Sequence, residues 1–126
     1  MLFRSVGPIS CGPQKQETWH CTPACAAILE KAGVTDICLT IDGDTFVCTL
    51  PLDVGICMAY GLSEDAALAS LTRSPARVLG VENRIGTIEA GKDADMAAFN
   101  GFPFRNTTLC QAVMIDGKMF SWEEAY

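Results

Sequence analysis

The chain has 126 residues, 49% of them hydrophobic, with 9 Lys+Arg against 15 Asp+Glu and a formal net charge of −6. That length suits one ordinary domain with a sizeable core. The acidic balance, with no basic patch, argues against nucleic acid or an anionic membrane surface as partner. No apolar run approaches the ~20 residues that span a bilayer, and Gly7 and Pro8 come too early for a signal-peptide core, so a cytoplasmic protein is expected.

Residues 1–21 read as irregular, with breakers at Gly7-Pro8 and Gly12-Pro13 and one short strand over Val6–Ser10. Residues 1–6 read as a non-native-looking or disordered start. Thr22-Pro23 signals a helix, Thr22 as N-cap and Pro23 at the first helical position. Ala24, Ala27, Ile28 and Ala32 share its apolar face, and Gly33 is placed to end it. The run from Asp36 to Asp42 is β-rich and closes on Asp42-Gly43, so helix, loop and buried strand follow in α/β rhythm.

Gly43–Thr45 reads as loop, and Leu50–Tyr60 as a second helix with Pro51 near its start and Gly61 past its end. Ser63 caps a third helix whose first turn carries Glu64 and Asp65. Ser74-Pro75 opens a short fourth, stopped by Gly80. Gly86–Glu89 and Asp95–Phe99 then read as the arms of a hairpin about Ala90-Gly91-Lys92-Asp93. Met96–Phe99 is apolar without alternation, as in a strand buried on both faces. Gly101–Thr108 is loop, and Leu109–Ile115 a strand turning at Asp116-Gly117 into Lys118-Met119-Phe120. The pattern changes near residue 80, from α/β to β-hairpins, and neither half is long enough to bury a good core alone.

Of the seven cysteines, several lie in apolar runs (Cys38, Cys57), where a free thiol acts as a small hydrophobe. No Cys-x-x-Cys occurs, and His20-Cys21 with Cys25 lacks the second pair a zinc cluster needs. Reduced, mostly structural thiols are expected rather than a thiol-based redox or metal protein.

The ordered words Gly61-Leu62-Ser63-Glu64-Asp65-Ala66-Ala67-Leu68, Thr72-Arg73-Ser74-Pro75-Ala76-Arg77-Val78-Leu79-Gly80, Arg84-Ile85-Gly86-Thr87-Ile88-Glu89-Ala90-Gly91-Lys92-Asp93-Ala94-Asp95 and Val113-Met114-Ile115-Asp116-Gly117-Lys118 closely resemble the C-terminal end of metal-dependent amidohydrolases. The imidazolonepropionase-like branch is the nearest in pattern, and Thr22-Pro23 through Asp42-Gly43 fits it too. The resemblance covers roughly residues 7–120. It implies an α/β fold: the last units of a (β/α)₈ TIM-type barrel with closing helices in 7–80, then in 81–126 the C-terminal strands of a small β-sandwich. Such a piece is incomplete on its own, and its partners would be the missing N-terminal portion of the barrel and a small-molecule substrate.

By the same resemblance, Asp42 matches the aspartate after the last barrel strand. There it is a metal ligand and shuttles a proton between the metal-bound water and the leaving nitrogen. A metal lowers the pKa of its water to ~7 and a neighbouring carboxylate can take the proton. The resemblance implies a divalent metal, zinc foremost, in the complete enzyme. It also implies a His-x-His pair, a bridging lysine or acidic residue and two further histidines, none of which this chain supplies. Its one histidine, His20, lies in a polar loop matching none of them. One carboxylate falls short of about three protein ligands, so the chain alone is expected to hold no metal and to be inactive. The expected function is that of a C-terminal fragment of an amidohydrolase cleaving non-peptide C–N bonds of cyclic amides or amidines. The alternative is a non-catalytic complementing module, half of a split enzyme.

Overall fold

The computed structural model describes residues 3–7, 9, 16, 19–41 and 47–121. Strand β1 (Phe3–Val6) pairs in parallel with β2 (Asp36–Leu39), in the register Phe3 to Asp36 through Val6 to Leu39. Parallel neighbours need a crossover, and it contains helix α1 (Cys25–Lys31). The short strand thus lies earlier than Val6–Ser10, inside the start expected to be disordered, because β2 supplies its hydrogen-bonding edge. Helix α1 begins later than Thr22-Pro23 suggested. Those residues form a preceding turn, in which Ala24 N–H donates to Thr22 Oγ1 at 3.3 Å and Cys25 N–H to the Thr22 carbonyl at 3.0 Å.

A 3₁₀ turn over Val47–Thr49 leads into α2 (Leu50–Ala59), followed by α3 (Glu64–Leu71) and α4 (Arg73–Val78). Helices α1, α2 and α4 end alike, on a glycine in the left-handed region: Gly33, Gly61 and Gly80. In each, the residue after the glycine donates back five positions, Val34 to Leu29, Leu62 to Cys57 and Val81 to Ala76. Ser63 caps α3 as expected, its Oγ accepting from Ala66 N–H at 3.2 Å. Ser74 does not cap α4. The helix starts one residue before it, and Thr72 occupies the N-cap place while its hydroxyl donates to the Leu68 carbonyl at 2.7 Å.

Alternation along β2 sends Ile37 and Leu39 to the helices, where they meet Ala26 and Ala27 of α1, Val54 and Cys57 of α2, Leu62, and Ala67 of α3. Phe104 joins this core from the loop following residue 99, edge-on to Phe102 with ring centroids 5.5 Å apart. The close approach explains Gly55: a Cβ there would stand 2.4 Å from the Phe104 carbonyl oxygen.

Beyond residue 80 the chain forms an antiparallel sheet ordered β3 (Met96–Phe99), β4 (Cys110–Ile115), β5 (Lys118–Ser121). Asp116 and Gly117, with φ of 50° and 75°, make the tight β4–β5 turn expected from Asp-Gly. Two expectations fail. Gly86–Glu89 is not a strand, because its polar groups are taken up by contacts within the loop. Met96, Ala97 and Ala98 are exposed rather than buried, β3 having the strand β4 as its main neighbour.

Candidate functional site

Asp42, the candidate metal ligand and catalytic residue, lies outside the described residues, as do Gly43–Thr45; the strand that leads to it does not. Thr40 N–H donates to the Val6 carbonyl at 3.0 Å, carrying the β1–β2 pairing one residue past β2. Ser5, Cys38, Leu39 and Thr40 line a cavity of about 480 Å³ whose other wall is Pro75, Val78 and Leu79 of α4 and its end. Burial pushes the Cys38 thiol up, and the Asp36 carboxylate adds to it.

At the start of β2 the Asp36 carboxylate, 1% exposed, accepts from Arg77 Nη1 of α4 at 3.1 Å. Nothing in the sequence pattern singled out this pair, 41 residues apart. The available signal was an acidic residue opening an otherwise apolar strand.

No group of three or more His, Cys, Asp or Glu among the described residues could hold a metal ion. His20 is exposed in a turn, as expected of a loop residue. Cys57 is wholly buried, Cys38 partly so, whereas Cys21, Cys48 and Cys110 are exposed, so the structural-thiol reading fits only part of the set. The described residues therefore do not by themselves fit a divalent metal centre.

The motif from Arg84 to Asp95 is held by its own polar groups. Asp93 N–H donates to the Arg84 carbonyl at 2.8 Å while the Arg84 guanidinium donates back to the Asp93 carboxylate. Lys92, its side chain 14% exposed, donates to Thr87 and pairs with Glu89. The Thr87 hydroxyl, then Lys92, holds the Glu89 carboxyl below its usual range. Asp95 Oδ1 accepts from Asp116 N–H at 2.8 Å, tying the loop to the β4–β5 turn. Gly86, at φ +95°, leaves room for Ala76, whose Cβ a side chain would meet at 2.7 Å. Each polar residue of the loop has a structural partner.

A parallel β-α-β unit with a helical core against β2 and a largely apolar cavity between β2 and α4 defines an α/β scaffold. The chain belongs to the amidohydrolase family, whose sequence profile matches residues 20–120. Amidohydrolase tasK of Hapsidospora irregularis is 34% identical over 103 residues, 82% of this chain and 10% of that protein. Imidazolonepropionase of Maricaulis maris is 46% identical over 44 residues, 35% of this chain and 11% of that protein. The crystal structure of an amidohydrolase from Thermotoga maritima superposes with a TM-score of 0.82 at 38% identity, covering 93% of this chain and 31% of that one. The chain thus spans about a tenth of the length of these curated relatives. No helix among the described residues is long and apolar enough to cross a membrane.

Proposed function

We propose that this chain is the C-terminal portion of a metal-dependent amidohydrolase that cleaves non-peptide C–N bonds in small cyclic amides or amidines. In this reading residues 7–80 contribute the last units of a (β/α)₈ barrel and its closing helices, and 81–126 the C-terminal strands of a β-sandwich. Asp42 is the metal ligand and proton shuttle of the complete enzyme. The remaining ligands of a divalent ion, zinc foremost, belong to the part of the protein that this chain does not match.

The observation that carries the reading is the alternation along β2. Cys38 and Thr40 line the cavity while Ile37 packs in the helical core, which Leu39 joins while also reaching the cavity wall. Continued by two residues, the same alternation would send Asp42 to the cavity side, at the C-terminal end of a parallel strand, where barrel enzymes carry their reacting groups. The parallel β1–α1–β2 unit and the superposition on the Thermotoga protein support the barrel assignment.

A chimera tests it. Residues 3–121, β1 included, replace the matching C-terminal third of the Thermotoga maritima amidohydrolase, and metal content and C–N hydrolysis are measured. The expected result is a metal-loaded, active chimera that Asp42→Asn slows by ~100-fold or more. Full activity in a folded, metal-loaded Asp42→Asn chimera would reject the assignment. The isolated chain should show no tight zinc binding, and micromolar or stronger affinity in an apo titration would contradict the fragment reading.

The exposed apolar faces of β3–β5 favour a second reading, a complementing module bound by a separately made barrel portion. Mixing this chain with the unmatched portion of the Thermotoga protein distinguishes it. A stable complex supports complementation, and failure to associate leaves covalent continuity as the requirement.

A further inference from the structure

We propose that Asn100-Gly101 is a site of spontaneous covalent modification, at which the Asn100 side-chain amide is lost by attack of the Gly101 backbone nitrogen. The two residues follow β3 and open the loop over residues 100–109, whose far end enters β4. Nucleophile and electrophile are consecutive in the chain, so the reaction needs no ligand and no second surface. It is independent of the role proposed for Asp42.

The loop presents the reacting atoms. Leu109 N–H donates to Asn100 Oδ1 at 2.8 Å, while Asn100 N–H donates to the Leu109 carbonyl at 3.1 Å. The first of these bonds places a donor on the oxygen where negative charge develops as Cγ is attacked. Neither the Asn100 amide nitrogen, which leaves, nor the Gly101 N–H, which supplies the nucleophile, has a hydrogen-bond partner among the described residues. Both residues are exposed, so base and water reach them. Glycine has no Cβ to crowd the closing ring, and adjacency in the chain replaces a bimolecular encounter.

The chemistry balances without a redox partner. Base removes the Gly101 amide proton, the nitrogen bonds to Asn100 Cγ, and the Cγ–Nδ2 bond breaks as ammonia leaves with that proton. Water then opens the succinimide ring at either carbonyl, giving aspartate or isoaspartate at position 100. Aspartate keeps an oxygen for the Leu109 N–H. Isoaspartate inserts a methylene into the main chain and breaks the Asn100–Leu109 brace. The same loop carries Phe104 into the helical core and sets its carbonyl oxygen against Gly55 of α2, so isoaspartate at 100 loosens that contact.

The test is ageing of the full chain at pH 8, folded and in urea, followed by peptide mapping with mass spectrometry. The other two asparagines, Asn83 and Asn106, precede Arg84 and Thr107 and serve as internal controls. In the folded chain Asn100 should convert ~10-fold or more faster than either control, with isoaspartate among the products. Gly101→Ala, whose Cβ would stand 3.1 Å from the rotatable Thr108 hydroxyl, should slow Asn100 to the rate of the controls. Chain enriched in isoaspartate should melt below fresh chain, whereas Asn100→Asp should not. Conversion in urea but not in the folded chain, a rate at Asn100 no greater than at Asn83 or Asn106, or an undiminished rate in Gly101→Ala would overturn the proposal. An isoaspartyl chain that melts with the fresh one would overturn the coupling to Phe104.

Discussion

Arg77 Nη1 donates to Asp36 Oδ1 at 3.1 Å, joining α4 to the first residue of β2, with the carboxylate side chain 1% exposed and the guanidinium-bearing one 45%. The asymmetry decides how the pair behaves. Asp36 cannot turn to water if its partner is lost, whereas Arg77 can.

Arg77→Met should therefore destabilise more than Asp36→Asn. Breaking a fully buried pair costs about 3–5 kcal/mol; because Arg77 reaches solvent, about 2 kcal/mol is expected here. Urea unfolding midpoints of the two variants check the order, and equal midpoints would mean that the buried charge is not what holds α4.

Gly55→Ala should lower stability although alanine favours a helix by ~1 kcal/mol over glycine. The added Cβ would stand 2.4 Å from the Phe104 carbonyl oxygen, and such overpacking costs about 1–3 kcal/mol. A rise in melting temperature would show that the loop carrying Phe104 does not rest on α2 in solution.

Ser63 offers a sharper contrast. Aspartate is ordinarily as good an N-cap as serine, and Ser→Ala at a cap costs about 1 kcal/mol. Here the Ser63 N–H and hydroxyl both donate to the Glu30 carboxylate of α1, which a second carboxylate would repel. Ser63→Asp is expected to be less stable than Ser63→Ala at pH 7 and to recover as acid neutralises the pair. Thermal melts at pH 7 and pH 4 read both effects.

Cys57 supplies a pH dependence on the alkaline side. Burial, then the charges of Asp53 and Cys25, push its thiol up to about 11 from 9.0. The folded chain keeps a proton that the unfolded chain releases, so this contribution to stability is whole below about pH 9 and is lost as pH rises to about 11. Native alkylation at pH 8.5 should modify the exposed Cys21, Cys48 and Cys110 well before Cys57. Reaction of Cys57 at the same rate would show that α2 opens readily.

What could be read from the sequence was whatever a few consecutive residues settle among themselves. Ser63 had only to reach the N–H three positions on, Gly33, Gly61 and Gly80 only to adopt one backbone angle, and Asp116-Gly117 only to make a two-residue turn. The family words were legible for the same reason, being local and ordered. The tertiary structure decided everything that depends on what lies opposite. It paired Phe3–Val6 with Asp36–Leu39 across the α1 crossover, set Arg77 against Asp36, and drew Gly86–Glu89 into a closed loop instead of a hairpin arm. It also left Met96–Ala98 exposed, because an apolar run reports a capacity for burial, and burial itself requires a second surface that the sequence of the strand does not contain.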